Sequence, residues 1–272
     1  MRRPKRRGAA VSPERKQAWL ESFAGYRHII TGKDLENWLD QFREADQDIA
    51  ARVLDAVEYV TSDGISAAYR NLLGSLPGWH RDPDQRSGVW KFVPFSLSEG
   101  ESGNAMMHTF RIANNLAGKQ YNTLFAHWSQ LASLGRDDTV VFIDDFSGTG
   151  SQVKDYWPRF EEILANGPLA YLLLIAATDT AQAAIERETS VRLRADRSLD
   201  ASDNIFASAC SHFTKDEKDT LLSYCQKAYP SEPKGRGSCG LLFVFAHKAP
   251  NNSIPLLHKV NKNWSGLFRR YN

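Results

Sequence analysis

Two adjacent carboxylates, Asp144 and Asp145, are followed almost at once by Ser147-Gly148-Thr149-Gly150-Ser151. Ionised carboxylates are acceptors only, so a neighbouring pair can take both hydroxyls of a ribose. The loop after them joins glycines, which let backbone approach a ligand closely, to small side chains carrying hydroxyls. From about Gln152 the residues Val153, Tyr156, Trp157, Phe160, Ile163 and Leu164 recur at helical spacing. The free N–H groups at the start of such a helix attract phosphate. Acidic pair, glycine–hydroxyl loop and helix together suit a sugar phosphate.

The elements that must position these residues are legible around them. Thr139 to Ile143 is a continuous apolar, β-branched run, as expected of a strand buried on both faces. Leu169 to Ala177 reads as the next buried strand, with a helix over Thr178 to Glu188 and an alternating strand over Val191 to Ala195. Upstream, Val89 to Phe95 reads as a strand and Ser96 to Gly103 as a loop. Asn104 is the expected cap of a helix carrying Met106, Met107, Phe110, Ile112 and Ala113. A further helix is expected through Leu124, Phe125, Trp128, Leu131 and Leu134. Repeated strand and helix units with short links imply an α/β protein with a doubly wound parallel sheet flanked by helices. Its ligand site should lie beyond the C-terminal ends of the strands.

Three parts are expected: a basic tail over residues 1–11, a helical segment over 12–80, and an α/β domain over 81–272. In the helical segment, Ser12-Pro13 opens the first helix, and Ile49, Val53, Val57 and Val60 continue a third until Asp63-Gly64 ends it. The segment is either a helix-turn-helix or winged-helix module or a cap on the main domain. Downstream, Asp203 to Ala228 reads as two helices, the second with Thr214 and Glu217 as a capping box, and Cys239 to Ala246 as a strand.

With 272 residues and 42% hydrophobic content, the chain can bury one sizeable core plus an appended segment. No apolar run reaches the roughly 20 residues a membrane helix needs, and the basic start lacks the apolar stretch of a signal peptide. The expected location is the cytoplasm, away from membranes. Cys210, Cys225 and Cys239 are odd in number and widely spaced, which suits neither a disulfide framework nor a zinc site. Removing the five positive charges of Arg2, Arg3, Lys5, Arg6 and Arg7 turns the net charge of +2 into −3. A tail of that kind either binds nucleic acid electrostatically or stays solvated. The absence of GxxxxGK[ST] argues against a P-loop nucleotidase, and Ser147 lacks the G-x-S-x-G frame of a serine hydrolase.

The stretch from Thr139 to Ser151 closely resembles the phosphoribosyl-diphosphate (PRPP) motif of type I phosphoribosyltransferases. Asp144 and Asp145 match that family's acidic pair, and Thr149, Gly150 and Ser151 match its phosphate cradle; Gln152 departs from the commoner small hydroxyl residue. The resemblance implies a type I phosphoribosyltransferase-like fold with a C-terminal hood. It also implies PRPP or a related ribose phosphate as ligand, with Ser147 to Ser151 on the phosphate. Asp144 and Asp145 would act as the catalytic carboxylates, and would hold Mg2+ through ligand or water. By the same implication Glu101-Ser102-Gly103-Asn104 would hold the pyrophosphate. Lys119 and Tyr121 would lie on a segment able to close over the reacting centre, or on a plain connector.

The Pro250-Asn251-Asn252 and Pro255-Leu256-Leu257 segments, Trp264 and Leu267-Phe268 further resemble phosphoribosyltransferase-like proteins of bacterial conflict and antiphage loci, some beside retron reverse transcriptases. That subgroup implies an effector in antiphage defence, with a reverse transcriptase and nucleic acid as partners; self-association into a homo-oligomer is left open. Three functions are carried forward: a transferase or ribosyl hydrolase; a catalytically inactive nucleotide-sensing protein; and a nucleic-acid-associated subunit of a defence complex.

Overall fold

The structure, a computed structural model, describes residues 11–97 and 102–270. Helices α1 (Pro13–Ser22), α2 (Gly32–Leu39) and α3 (Gln47–Asp55) come first, then strand β1 (Glu58–Val60) and helix α4 (Ser62–Gly74). Strand β2 (Trp90–Pro94), helix α5 (Ser102–Ala113) and strands β3 (Thr139–Ile143) and β4 (Phe146–Ser147) follow. Next are α6 (Ser151–Ile163), β5 (Leu169–Thr178), α7 (Asp179–Glu188), β6 (Arg192–Leu199) and α8 (Lys215–Ala228). The chain ends on β7 (Phe243–Phe245), α9 (Pro255–His258), β8 (Val260–Asn261) and β9 (Trp264–Ser265). Among the described residues, no helix is long and apolar enough to cross a membrane.

Two compact units result. Asp63–Asp200 form one; the described residues up to Ser62 form the other with those from Ala201 onward. The first is the parallel α/β unit. Its five-stranded sheet pairs β2 with β3, β3 and β4 with β5, and β5 with β6, all parallel. Both faces are covered, as nearly continuous apolar strands require. Phe92 of β2 meets Phe110 of α5 edge-on at 5.0 Å, and Phe110 meets Tyr69 of α4 at 5.6 Å. The alternate residues Val93, Phe142 and Leu172 pack with Val153, Trp157 and Phe160 of α6 and Ile185 of α7. The strands step across the sheet in one direction, so the reversal that defines a doubly wound switch point is not part of this sheet. β6 pairs only with β5 among the described residues, and exposed Arg192, Arg194 and Asp196 charge that outer strand, a common guard against stray pairing.

The second unit holds a parallel pair, β1 with β7, and an antiparallel pair, β8 with β9. Around them Trp19, Phe23, Trp38, Phe42, Tyr224, Trp264 and Phe268 build an aromatic core. Both expected capping signals are used: Ser12 accepts from Arg15 N–H, and Thr214 and Glu217 form a reciprocal capping box.

Several expectations fail for tertiary reasons. Val60 lies on β1 rather than on a helix, because its segment pairs with β7. Asp63 and Gly64 open α4 instead of ending a helix; Asp63 sits in its first turn, where a negative charge meets the helix dipole. The helix expected through Leu124 to Leu134 is two 3-10 turns, Lys119–Leu124 and Trp128–Ser133. Between them Phe125 bridges to Phe92, and Ala126 N–H donates to the Phe92 carbonyl. The first helix expected after Asp203 is replaced by turns around an Asn204–Leu241 bridge.

His258 sets an acid limit on this fold. It is 3% exposed; Nε2 lies 3.3 Å from the Ser253 carbonyl and Nδ1 has no partner. Burial, reinforced by Arg270 and Lys259, lowers its pKa from 6.5 to about 3. Between those values the unfolded chain takes up a proton that the folded chain does not, so stability falls as pH drops from 6.5 toward 3. The expected slope is about 1.4 kcal/mol per pH unit. Urea unfolding at pH 6.5 and pH 5 checks it: His258→Leu should lose less stability than the native chain over that interval.

Candidate functional site

The site is built on an interruption of the central strand. β3 stops at Ile143, opposite Leu173, and β4 resumes at Phe146, opposite Ala176, in the same register along β5. Asp144 and Asp145 are the residues skipped. Asp144 N–H donates to the Leu173 carbonyl at 3.2 Å, while the Asp145 carbonyl accepts from Ile175 at 3.0 Å and Ala176 at 3.2 Å. In a regular parallel strand, consecutive residues direct their backbone groups to opposite neighbours. Two consecutive residues bonded to β5 therefore mark a local irregularity, the kind of device that re-aims side chains beside a site.

Both aspartates are buried, Asp144 at 4% and Asp145 at 2% exposure. Asp144 Oδ1 accepts from the Asp145 N–H at 2.9 Å, which folds the first carboxylate back over the next peptide. The Asp144 carbonyl accepts from the Tyr69 hydroxyl at 3.0 Å. Desolvation first, then the charges of Asp145 and Asp144, holds the Tyr69 phenol far above its ordinary pKa, so it remains a donor.

The loop that follows is held from the β5–α7 junction. Thr178 Oγ1 donates to the Gly148 carbonyl at 2.7 Å and accepts from Ala181 N–H at 3.0 Å, capping α7 with the same atom. Gly150 is the N-cap of α6 in the left-handed region, with φ of 73° and no side chain of its own, while Thr149 Oγ1 accepts from the Ser151 N–H at 3.4 Å. A Cβ at Gly150 would lie 3.1 Å from the Ala181 carbonyl oxygen and 3.2 Å from Ala184 Cβ, so only glycine fits without displacing α7. Thr149 Oγ1 and Ser151 Oγ lie 2.9 Å apart and are half-buried, next to the first turn of α6. Ser147 is buried on β4. Residues 148–150 thus form the turn between β4, which ends on Ser147, and α6, which starts at Ser151.

The upstream loop is placed in part. Glu101 lies outside the described residues. α5 begins at Ser102, so Asn104 is inside the helix, not its cap. Gly103 is buried, and a Cβ there would lie 3.1 Å from Phe95 N and O. Gly103 therefore lets the start of α5 pack onto the end of β2, at the same end of the sheet as the acidic pair. Lys119 and Tyr121 lie elsewhere. α5 carries the chain back along β2, and Lys91 Nζ, near the start of that strand, donates to the Thr123 carbonyl. Arg81 Nε donates to the Tyr121 hydroxyl at 2.9 Å, and Arg111 donates to Leu116 and Asn122. The segment is pinned by three cations at the pole away from Asp144.

Among the described residues no group of three or more His, Cys, Asp or Glu side chains could hold a metal ion. Two side chains that bear on the site were not singled out for it by the sequence. They are Thr178, at the start of α7, and Tyr69, on the buried face of α4.

Among curated proteins, none matches the chain. The PRTase-CE family model matches residues 35–270, across both the acidic-pair unit and its companion. With most of its length matched, and with an acidic pair and glycine–hydroxyl loop carried on a parallel sheet flanked by helices, the chain belongs to the phosphoribosyltransferase-like family PRTase-CE.

Proposed function

We propose that the chain binds PRPP or a closely related ribose phosphate and transfers its phosphoribosyl group to an acceptor nucleophile, with water as the hydrolytic case. One observation carries this reading: two consecutive carboxylates at a break in the central strand, followed within six residues by a helix that starts on a left-handed glycine. The N–H groups of that turn and the Thr149 and Ser151 hydroxyls would take the 5-phosphate. Asp144 and Asp145 would take the ribose hydroxyls. As the bond from ribose C1 to pyrophosphate breaks and a bond to the acceptor forms, positive charge develops at C1, which buried carboxylates stabilise more than water does.

The donor set fits Mg2+ entering with the ligand. Two hard carboxylates are too few for an all-protein cage, and Mg2+ is usually bound by one or two carboxylates together with substrate phosphates and waters. Bound in that way, it would offset the negative charge of the pyrophosphate. Because both aspartates are covered, ribose entry requires neighbouring chain to open.

That coverage favours one second reading, a ribose-phosphate sensor that binds without turnover. Two measurements separate them. Calorimetry of the native chain with Mg·PRPP and with ribose 5-phosphate should show saturable binding of both; no heat with either sinks the ribose-phosphate assignment. Pyrophosphate release from Mg·PRPP identifies the transferase, and binding without release identifies the sensor.

Membership of an antiphage effector complex, with a reverse transcriptase and nucleic acid as partners, rests on the C-terminal resemblance alone. Leu256, Leu257, Trp264 and Phe268 of that segment are buried core residues. They support a shared fold more directly than a shared partner.

A further inference from the structure

The Asp144 carbonyl occupies an unusual position. At the strand break it accepts from a side chain, the hydroxyl of Tyr69 on α4, while the β5 amides of Ile175 and Ala176 donate to the Asp145 carbonyl. Tyr69 is 0% exposed, and a buried phenol needs such a partner, whereas phenylalanine would fill the same space without one. Its ring is held edge-on by Phe110 of α5, which is held in turn by Phe92 of β2. α5 is the helix that starts beside Gly103, on the second loop at this end of the sheet.

We propose that Tyr69 is the positioning residue of the acidic pair: its hydroxyl donates to the Asp144 carbonyl and so holds the peptide from which both carboxylates project. The inference rests on the ribose-phosphate reading of the site and deepens it. α4 thereby becomes part of the site's support rather than a separate helical cap. The pair is over-determined from two sides, by Tyr69 at the carbonyl and by the Asp145 N–H at the Asp144 carboxylate. Without the hydroxyl, the peptide loses a bond that holds it on the α4 side. A shift there moves carboxylates whose bonds to a ligand depend on placement within a fraction of an ångström.

Tyr69→Phe tests this in the full chain. Affinity for both Mg·PRPP and ribose 5-phosphate is expected to fall roughly tenfold, the worth of one misplaced hydrogen-bonded group. A second readout uses 3-fluorotyrosine at position 69, which keeps the hydroxyl: its 19F resonance should shift when Mg·PRPP binds, as a residue that merely fills the core would not. Native-like affinity of Tyr69→Phe, or an unmoved 19F signal with ligand bound, overturns the proposal while leaving the ribose-phosphate reading intact. Should Tyr69→Phe fail to fold, the 19F measurement decides alone. A native chain that binds neither ligand overturns the underlying reading, and this inference with it.

Discussion

Asp144→Asn combined with Asp145→Asn is expected to weaken Mg·PRPP binding by at least about 100-fold, because each lost charge-assisted hydrogen bond contributes about 1.5–3 kcal/mol. Asparagine keeps the size of each side chain and an acceptor oxygen, so the sheet should survive. The backbone bonds at the break involve Leu173, Ile175 and Ala176 and do not depend on the carboxylates. The loss should therefore appear in calorimetry without loss of far-UV circular dichroism. Ribose 5-phosphate is the informative second ligand, since it keeps the sugar hydroxyls and the 5-phosphate but lacks the pyrophosphate. If the double variant bound it as tightly as the native chain does, the carboxylates could not be its ribose contacts. The assignment of the acidic pair would then be wrong even if PRPP bound somewhere.

Gly150→Val is expected to damage both stability and binding. A non-glycine residue in the left-handed region costs about 1–2 kcal/mol. Steric overpacking against the Ala181 carbonyl, Ala184 and Ile185 adds about 1–3 kcal/mol. A total of about 2–5 kcal/mol is large against the stability of an ordinary domain. Relief of the clash would push the loop away from α7, breaking the Thr178–Gly148 bond that holds it. Phosphate affinity should fall with it. Gly150→Ala separates the two costs, because it imposes the backbone strain with one carbon rather than three. Urea midpoints for the pair should fall in the order native, alanine, valine. A valine variant with native midpoint and native affinity for ribose 5-phosphate would show that this glycine does not set the cradle.

Much of the α/β unit could be read from residue order because its signals are local. Thr139–Ile143 is a strand as its continuous apolar and β-branched run implies, and α7 begins at the Thr178 cap. The hydrophobic periods of those segments agree with their final burial. The segment from Leu124 to Leu134 shows the opposite case. Its apolar spacing fits a helix, yet Phe125 is drawn to the edge of β2 and the pattern breaks into two 3-10 turns. β1 is similar: three residues are too few to show a strand period, and what makes them a strand is β7, far along the chain.

For the site, residue types alone carried the proposed chemistry: adjacent carboxylates for vicinal hydroxyls, then glycines and hydroxyls at a helix start for phosphate. The order of those residues along one short stretch was enough to propose it, because they fall on consecutive local elements, a strand end, a turn and a helix start. Only the tertiary structure decided that the carboxylates are buried, that Thr178 ties the loop to α7, that Lys119 and Tyr121 sit at the opposite pole, and that Tyr69 bonds the Asp144 carbonyl. Each of those facts joins segments far apart in sequence. Which distant groups meet is set by how the sheet and its two helical layers close over one another, and that closure leaves no local period or motif to read.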